Sequence, residues 1–280
     1  MMISTMALLR TLICALPLAQ GRNPALNHVA EESTDPYLGL SLPDMNTSEQ
    51  GDVASTDIPL RISPLGASVT WGTGSSDGTG YRGPLREMLT EAGYTVNLVG
   101  FNRGGDMKDN ENDGYPGLKV REIHGKLARV LEERKPNLFL INAGTNNCLQ
   151  GEDEDQTDAD LGAILDDIWD YNKDTTIILS GLLTNRNMKV AACERRLNKK
   201  YQARVAAGVE EGFKIAYADM GMITVDDLSE DGTHPKDGGY RKFGSGWFAA
   251  ILEAERKGWI TLASHVEGIA DDGNNSSDSM

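Results

Sequence analysis

Two short stretches of this chain carry the residue types of nucleophilic catalysis. Gly66-Ala67-Ser68-Val69-Thr70-Trp71-Gly72 places a serine in a glycine-flanked turn directly after an apolar run. Far downstream, Asp231-Gly232-Thr233-His234-Pro235 places an acid and a histidine three residues apart in a loop. A serine hydroxyl is a weak nucleophile until a neutral imidazole takes its proton, and the imidazole needs a carboxylate to hold its tautomer. Ser68, His234 and Asp231 supply all three parts, the set required for hydrolysis through a serine nucleophile. The other three histidines are His28, His124 and His265. His124 falls on an expected helix and the other two fall near the chain ends, so His234 has no rival as the base.

These residues must be brought together by the elements between them. Apolar runs at 60–66, 94–100, 137–142, 175–180 and 214–218 read as strands. Amphipathic stretches at about 80–92, 120–134, 158–172, 188–211 and 238–257 read as helices. In 120–134, for example, Val120, Ile123, Leu127 and Leu131 share one helical face. Alternating strands and helices imply an α/β fold, a parallel sheet covered on both faces. In such sheets ligands bind beyond the C-terminal ends of the strands. Ser68 follows the first strand, the stretch 109–117 follows the second, Gly144-Thr145-Asn146-Asn147 follows the third, and Asp231 and His234 follow the fifth. All of them fall on one edge of the sheet.

Composition limits the partners. The chain has 280 residues and a formal net charge of −15. Such a surface repels nucleic acid and anionic lipid and suits a neutral substrate. Residues 1–21 read as a signal peptide, with Arg10, an apolar run and a small-residue cleavage site at Ala19-Gln20-Gly21. Its apolar run is too short to span a bilayer, and no other stretch is long and apolar enough to do so. The protein is therefore expected to be secreted. Residues 22–58 read as a polar arm, 59–263 as the folded domain and 264–280 as a disordered acidic tail. Asn46-Thr47-Ser48 and Asn274-Asn275-Ser276 are N-glycosylation acceptors in a eukaryotic host.

Of the three cysteines, Cys14 leaves with the signal. Cys148 and Cys193 are then an even pair in an oxidising compartment, where a disulfide is expected and two buried thiols are the alternative. No Cys/His cluster of zinc spacing is present. Asp109, Glu111, Asp113 and Gly114 come close to a calcium loop, but Val120 stands where the closing Glu belongs. The bland reading is a solvated acidic loop with no cofactor. The acidic run 152–155 reads as solvated surface ahead of a helix capped near Thr157 or Asp158.

Taken together these blocks resemble the SGNH, or GDSL, hydrolases, and within them the family 3 carbohydrate esterases of acetylxylan esterase type. The resemblance covers about 60–260. Gly66-Ala67-Ser68 resembles the first block, Asp109 to Gly117 the second, Gly144-Thr145-Asn146-Asn147 the third and Asp231 to His234 the fifth. It implies a flavodoxin-like three-layer α/β/α sandwich with a five-stranded parallel sheet of order 2-1-3-4-5. It also implies an oxyanion hole formed by the Ser68 and Gly117 backbone N–H groups and the Asn146 amide. The implied substrate is an acetylated polysaccharide such as xylan, with no cofactor required. Two positions depart from the family pattern: Ala67 stands where an Asp usually precedes the serine, and Asn147 where an Asp usually follows the asparagine. Neither carries a proton transfer, so activity is expected to survive both. Trp71 and Tyr115 flank the catalytic positions, where they stack on a sugar ring or simply pack. Two alternatives use the same fold: a lipase-like or general carboxylesterase, and a catalytically idle carbohydrate-binding homologue.

Overall fold

The computed structural model describes residues 58–273. The signal peptide, nearly all of the arm and both glycosylation motifs' asparagines, Asn46 and Asn274, lie outside them.

The strands are β1 (Leu60–Gly66), β2 (Val96–Leu98), β3 (Asn102–Arg103), β4 (Glu111–Gly114), β5 (Leu138–Asn142), β6 (Thr176–Ser180) and β7 (Ile215–Ala218). The helices are α1 (Ser68–Trp71), α2 (Arg82–Glu91), α3 (Val120–Glu133), α4 (Thr145–Leu149), α5 (Glu154–Tyr171), α6 (Met188–Glu210) and α7 (Asp237–Arg256). Five strands pair in parallel in the order β2-β1-β5-β6-β7, the order that the resemblance implies. Successive side chains of a strand face opposite sides, which divides the core in two. Phe139, Ile141, Ile177 and Leu179 pack under α3, α5 and α6. Leu138, Leu140 and Ile178 pack under α2 and α7.

Two short strands lie outside that expectation. β1 pairs with β2 only from Leu60 to Ile62, and with β4 at Leu65 and Gly66. The Leu60 N–H and the Ile62 carbonyl bond toward the β2 side, so residue 64 faces the same way. Pro64, which has no N–H to offer, falls in the gap between the two partners and costs no ladder bond there. β3 then adds antiparallel to β4. Both escaped the periodicity because Glu111-Asn112-Asp113-Gly114 holds no apolar residue, although all four are buried.

One boundary also differs. α5 begins at Glu154 rather than 158, capped by Asp153, whose Oδ1 accepts from the Gln156 N–H at 2.9 Å. Glu154 and Asp155 thus lie in its first turn, where the helix dipole favours negative charge, and they pair with Arg196 and Lys200 of α6. Residues 264–273, the described part of the expected tail, meet two side chains of the sheet. The Arg61 guanidinium donates to the Ser264 carbonyl at 2.6 Å and pairs with Asp271 at 3.3 Å, and Asn97 donates to the Ala270 carbonyl. Arg61 is buried among apolar strands and needs acceptors, and this segment supplies them.

Candidate functional site

Ser68 is the first residue of α1, immediately beyond the C-terminal end of β1. The turn from strand to helix is tight because Gly66 lets the Asn142 carbonyl and the Thr70 hydroxyl occupy the space of a Cβ. The N–H of a first helical residue has no acceptor within its helix, which leaves the Ser68 amide available to a ligand. Ala67 stands at the N-cap with no side-chain hydrogen bond.

Asp231 and His234 come from the loop before α7. The Ser229 N–H donates to the His234 carbonyl at 2.7 Å and the Lys236 N–H to the Asp227 carbonyl at 3.0 Å, closing the loop like a small hairpin. Asp231 Oδ1 accepts from the Thr233 and His234 backbone N–H groups at 2.8 and 2.9 Å. Its Oδ2 lies 2.6 Å from His234 Nδ1, and His234 Nε2 lies 2.7 Å from Ser68 Oγ. An ionised carboxylate can only accept, so Nδ1 carries the proton and Nε2 presents its lone pair to the serine hydroxyl. Partial burial works against the charge on Asp231. The hydrogen bonds from His234, Thr233 and Ser229 outweigh it and hold the carboxyl well below the usual carboxylate range. The structure therefore brings Ser68, His234 and Asp231 into one hydrogen-bonded chain.

Asn146 follows β5 on α4. Gly144, with φ of +131°, allows the turn out of the strand, and a Cβ there would lie 2.6 Å from the Tyr201 hydroxyl oxygen. Asn146 Nδ2 donates to the Leu118 carbonyl at 2.8 Å, which leaves its second amide hydrogen to offer. Asn147 Oδ1 accepts from the Val120 N–H at 3.1 Å. A carboxylate could do the same, so the amide meets the local need at this position.

The two glycines of the 109–117 stretch are placed differently. Gly117 is exposed, with open space around its Cβ position, and its carbonyl accepts from Gln150 Nε2 at 3.3 Å. Gly114 is buried opposite Gly66, and a Cβ there would collide with the backbone nitrogen of Trp71. Gly114 is thus the glycine pressed against α1, the helix that begins with Ser68. Gly114→Ala is expected to push α1 away from β4, lowering kcat for a small ester at least tenfold, whereas Gly117→Ala strains only its positive φ. Steady-state kinetics on p-nitrophenyl acetate check this, and equal losses in the two variants would contradict the packing argument.

Other supports were also invisible in the sequence. Arg82 is fully buried and donates to the Thr70, Trp71 and Gly104 carbonyls at 3.0, 3.0 and 2.9 Å, holding α1 to the β3–β4 hairpin. Asn185 donates to the Thr233 hydroxyl at 3.0 Å and steadies the histidine loop. A literal Gly-x-Ser-x-Gly run, Gly74 to Gly78, lies in the loop after α1, but its Ser76 hydroxyl donates to Asp237 at 2.8 Å and is not part of the triad. Trp71 is half-buried against Gly104, and Tyr115 donates its hydroxyl to Asp113 at 2.9 Å.

The carboxylates considered for calcium serve the backbone. Asp109 accepts from the Leu98 N–H and pairs with Arg86, Glu111 pairs with Arg103, and Asp113 accepts from the Phe101 N–H and the Ser63 hydroxyl. Burial pushes Asp109 and Asp113 up to about 6. Among the described residues no three His, Cys, Asp or Glu side chains are grouped to hold a metal ion. Cys148 and Cys193 form a disulfide with a Cα–Cα distance of 5.7 Å, tying α4 to α6 two residues beyond Asn146. Closing a loop of this length stabilises the fold by up to ~4 kcal/mol on chain-entropy grounds. Among the described residues no helix is long and apolar enough to cross a membrane.

Comparison with known proteins adds four findings. A family model described as the GDSL-like Lipase/Acylhydrolase family matches residues 65–242. A multidomain esterase of Ruminococcus flavefaciens is 28% identical over 226 residues, which are 69% of this chain and 28% of that protein. The chain thus spans little more than a quarter of that relative's length. A Clostridium thermocellum family 3 carbohydrate esterase has the same fold, with a TM-score of 0.65 at 23% identity over 71% of this chain and 98% of that one. A family 3 carbohydrate esterase from Talaromyces cellulolyticus has a TM-score of 0.63 at 18% identity over 71% and 99%.

Proposed function

The chain belongs to the GDSL-like lipase/acylhydrolase family, and we propose that it is an esterase removing acyl groups, acetyl above all, from the hydroxyls of a carbohydrate such as xylan. The observation that carries the catalytic part is the continuous chain Asp231–His234–Ser68, with links of 2.6 and 2.7 Å. Ser68 Oγ attacks the ester carbonyl as His234 Nε2 takes its proton. Asp231 keeps the imidazole oriented and balances its positive charge. The tetrahedral oxyanion forms beside the Ser68 and Gly117 N–H groups and the free hydrogen of the Asn146 amide. His234 then protonates the leaving sugar oxygen. Water repeats the sequence on the acyl-serine, releasing the acid and restoring Ser68. The carbohydrate part is supported by the two family 3 carbohydrate esterases that share the fold. The disulfide favours an oxidising, extracellular setting.

A panel of p-nitrophenyl acetate, butyrate and octanoate beside acetylated xylan tests the reading. The highest kcat/KM is expected on acetate, with acetate released from the polymer. A kcat/KM on octanoate above that on acetate would move the protein to a lipase-like carboxylesterase.

The pH profile follows from the protonation states. An imidazole that already holds two protons cannot accept a third. Asp231, held well below the ordinary carboxylate range, stays ionised across the acid limb and adds no second proton to it. The acid limb of log kcat/KM should therefore rise with unit slope. An acid limb of slope two, or none above pH ~5, would contradict His234 as the sole titrating base.

A further inference from the structure

The sheet edge that carries the triad has a second concavity. A cleft of about 420 Å³ opens beyond the ends of β6 and β7, between α6 and the loop that follows β7. That is within the roughly 300–1,000 Å³ of ligand sites. The triad and the proposed oxyanion groups do not line it, yet each wall touches the catalytic machinery. Thr184, on one side, precedes Asn185, which donates to Thr233 of the histidine loop. Glu194, on the other, is hydrogen-bonded to Thr145, the neighbour of Asn146.

We propose that this cleft is a subsite for an uncharged saccharide unit of the substrate chain, holding the polymer beside the ester that Ser68 cleaves. It deepens the carbohydrate reading above and rests on it. Glu194 is 2% exposed, and its Oε2 is buried without a hydrogen-bond partner. Such an atom costs free energy until a ligand group meets it, so it points to an occupant with a polar hydrogen or lone pair there. Burial pushes this carboxyl up to about 8, against the pull of Thr145, so at neutral pH it presents a neutral O–H rather than a charge. A neutral carboxyl suits a hydroxyl better than a cation.

The remaining lining agrees. Asn198 uses its Oδ1 and one amide hydrogen on the Leu182 backbone, at 2.7 and 3.0 Å, and keeps one hydrogen to give. Gln202 lies at the rim, and Met220 and Ile223 supply an apolar floor. Polar groups around an apolar patch match a sugar ring, which offers hydroxyls at its edge and C–H groups on its faces. Arg195 and Asp219 contribute one charge of each sign, and the chain's net charge of −15 disfavours a polyanion.

The test is binding of unmodified xylohexaose to full-length Ser68→Ala protein by titration calorimetry, with a uronic acid oligomer as the charged comparator. Xylohexaose is expected to bind and the uronate not. Gln202→Trp and Val225→Trp, each added to Ser68→Ala, fill the cleft from opposite walls, and each should weaken xylohexaose at least tenfold. Glu194→Met removes the hydrogen-bonding oxygens at similar side-chain length and should weaken it at least threefold. In enzyme that retains Ser68, the ratio of kcat/KM on acetylated xylo-oligosaccharide to that on p-nitrophenyl acetate should fall at least fivefold in both tryptophan variants. Turnover of the small ester shows that a variant is folded. No xylohexaose binding, or unchanged affinity in all three variants, overturns the subsite. Wild-type protein that hydrolyses no ester overturns the esterase reading instead, so the two failures are distinguishable.

Discussion

Replacing Ser68 by alanine is expected to lower kcat on p-nitrophenyl acetate on the order of 10⁵-fold, leaving only what the oxyanion donors and the bound geometry contribute. Ser68 Oγ is the atom that His234 Nε2 faces at 2.7 Å. Without it, His234 can still activate a water, but that water is not held in line with the carbonyl. KM should change little, because alanine removes one oxygen and leaves α1 in place. The same site should take the label of an organophosphate, with a single modified peptide containing Ser68 and none in the Ser68→Ala protein. A label on another residue of active enzyme, or turnover within tenfold of wild type in Ser68→Ala, would show that the hydrogen-bonded chain is not the catalytic one.

The second large effect is expected from Asp231→Asn. The wild-type carboxylate uses both oxygens as acceptors, Oδ1 for two backbone N–H groups and Oδ2 for the imidazole. An amide has one oxygen and one NH₂. If its oxygen serves the backbone, the NH₂ faces His234 Nδ1 and selects the tautomer with the proton on Nε2, which cannot accept from Ser68. If the oxygen serves the ring, the NH₂ collides with two backbone donors and the hairpin loop must open. Either arrangement removes the base, and kcat should fall ~10³–10⁴-fold, as when a triad acid is amidated elsewhere. The loss should be smaller in alkaline buffer, where hydroxide replaces the missing general base. A loss below tenfold at neutral pH would mean that Asp231 does not orient His234.

Much of this architecture was legible in the residues. The five strands of the parallel order are read from mostly apolar runs, because a sheet covered on both faces buries both sides of each strand. β1, at Leu60–Gly66, therefore has the limits its composition suggests. The triad was legible for a related reason. Ser68 follows a glycine at the end of one such run, Asp231 and His234 stand beside Gly and Pro in the connection that follows the last strand, and in a parallel sheet those connections open on one edge. The disulfide of Cys148 and Cys193 was expected from their even number and an expected oxidising compartment, with two buried thiols as the alternative.

The rest was decided by contacts between residues distant in the chain. β4 is a buried strand made of Glu, Asn, Asp and Gly, and nothing in its own composition says so. Its carboxylates are buried because Arg103, Arg134 and the Phe101 and Gly100 amides reach them from elsewhere in the fold. The choice between Gly114 and Gly117 is of the same kind. Both stand in the same short stretch, but only pairing with Gly66 sets Gly114 against the backbone of α1. Arg82 and Asn185 are ordinary polar residues until the loops that need their donors fold over them. A chain's own composition determines which segments must leave water, since that depends on each residue's hydration. Which polar groups are then left to satisfy one another depends on what the closed sheet brings alongside, and only the tertiary structure decides that.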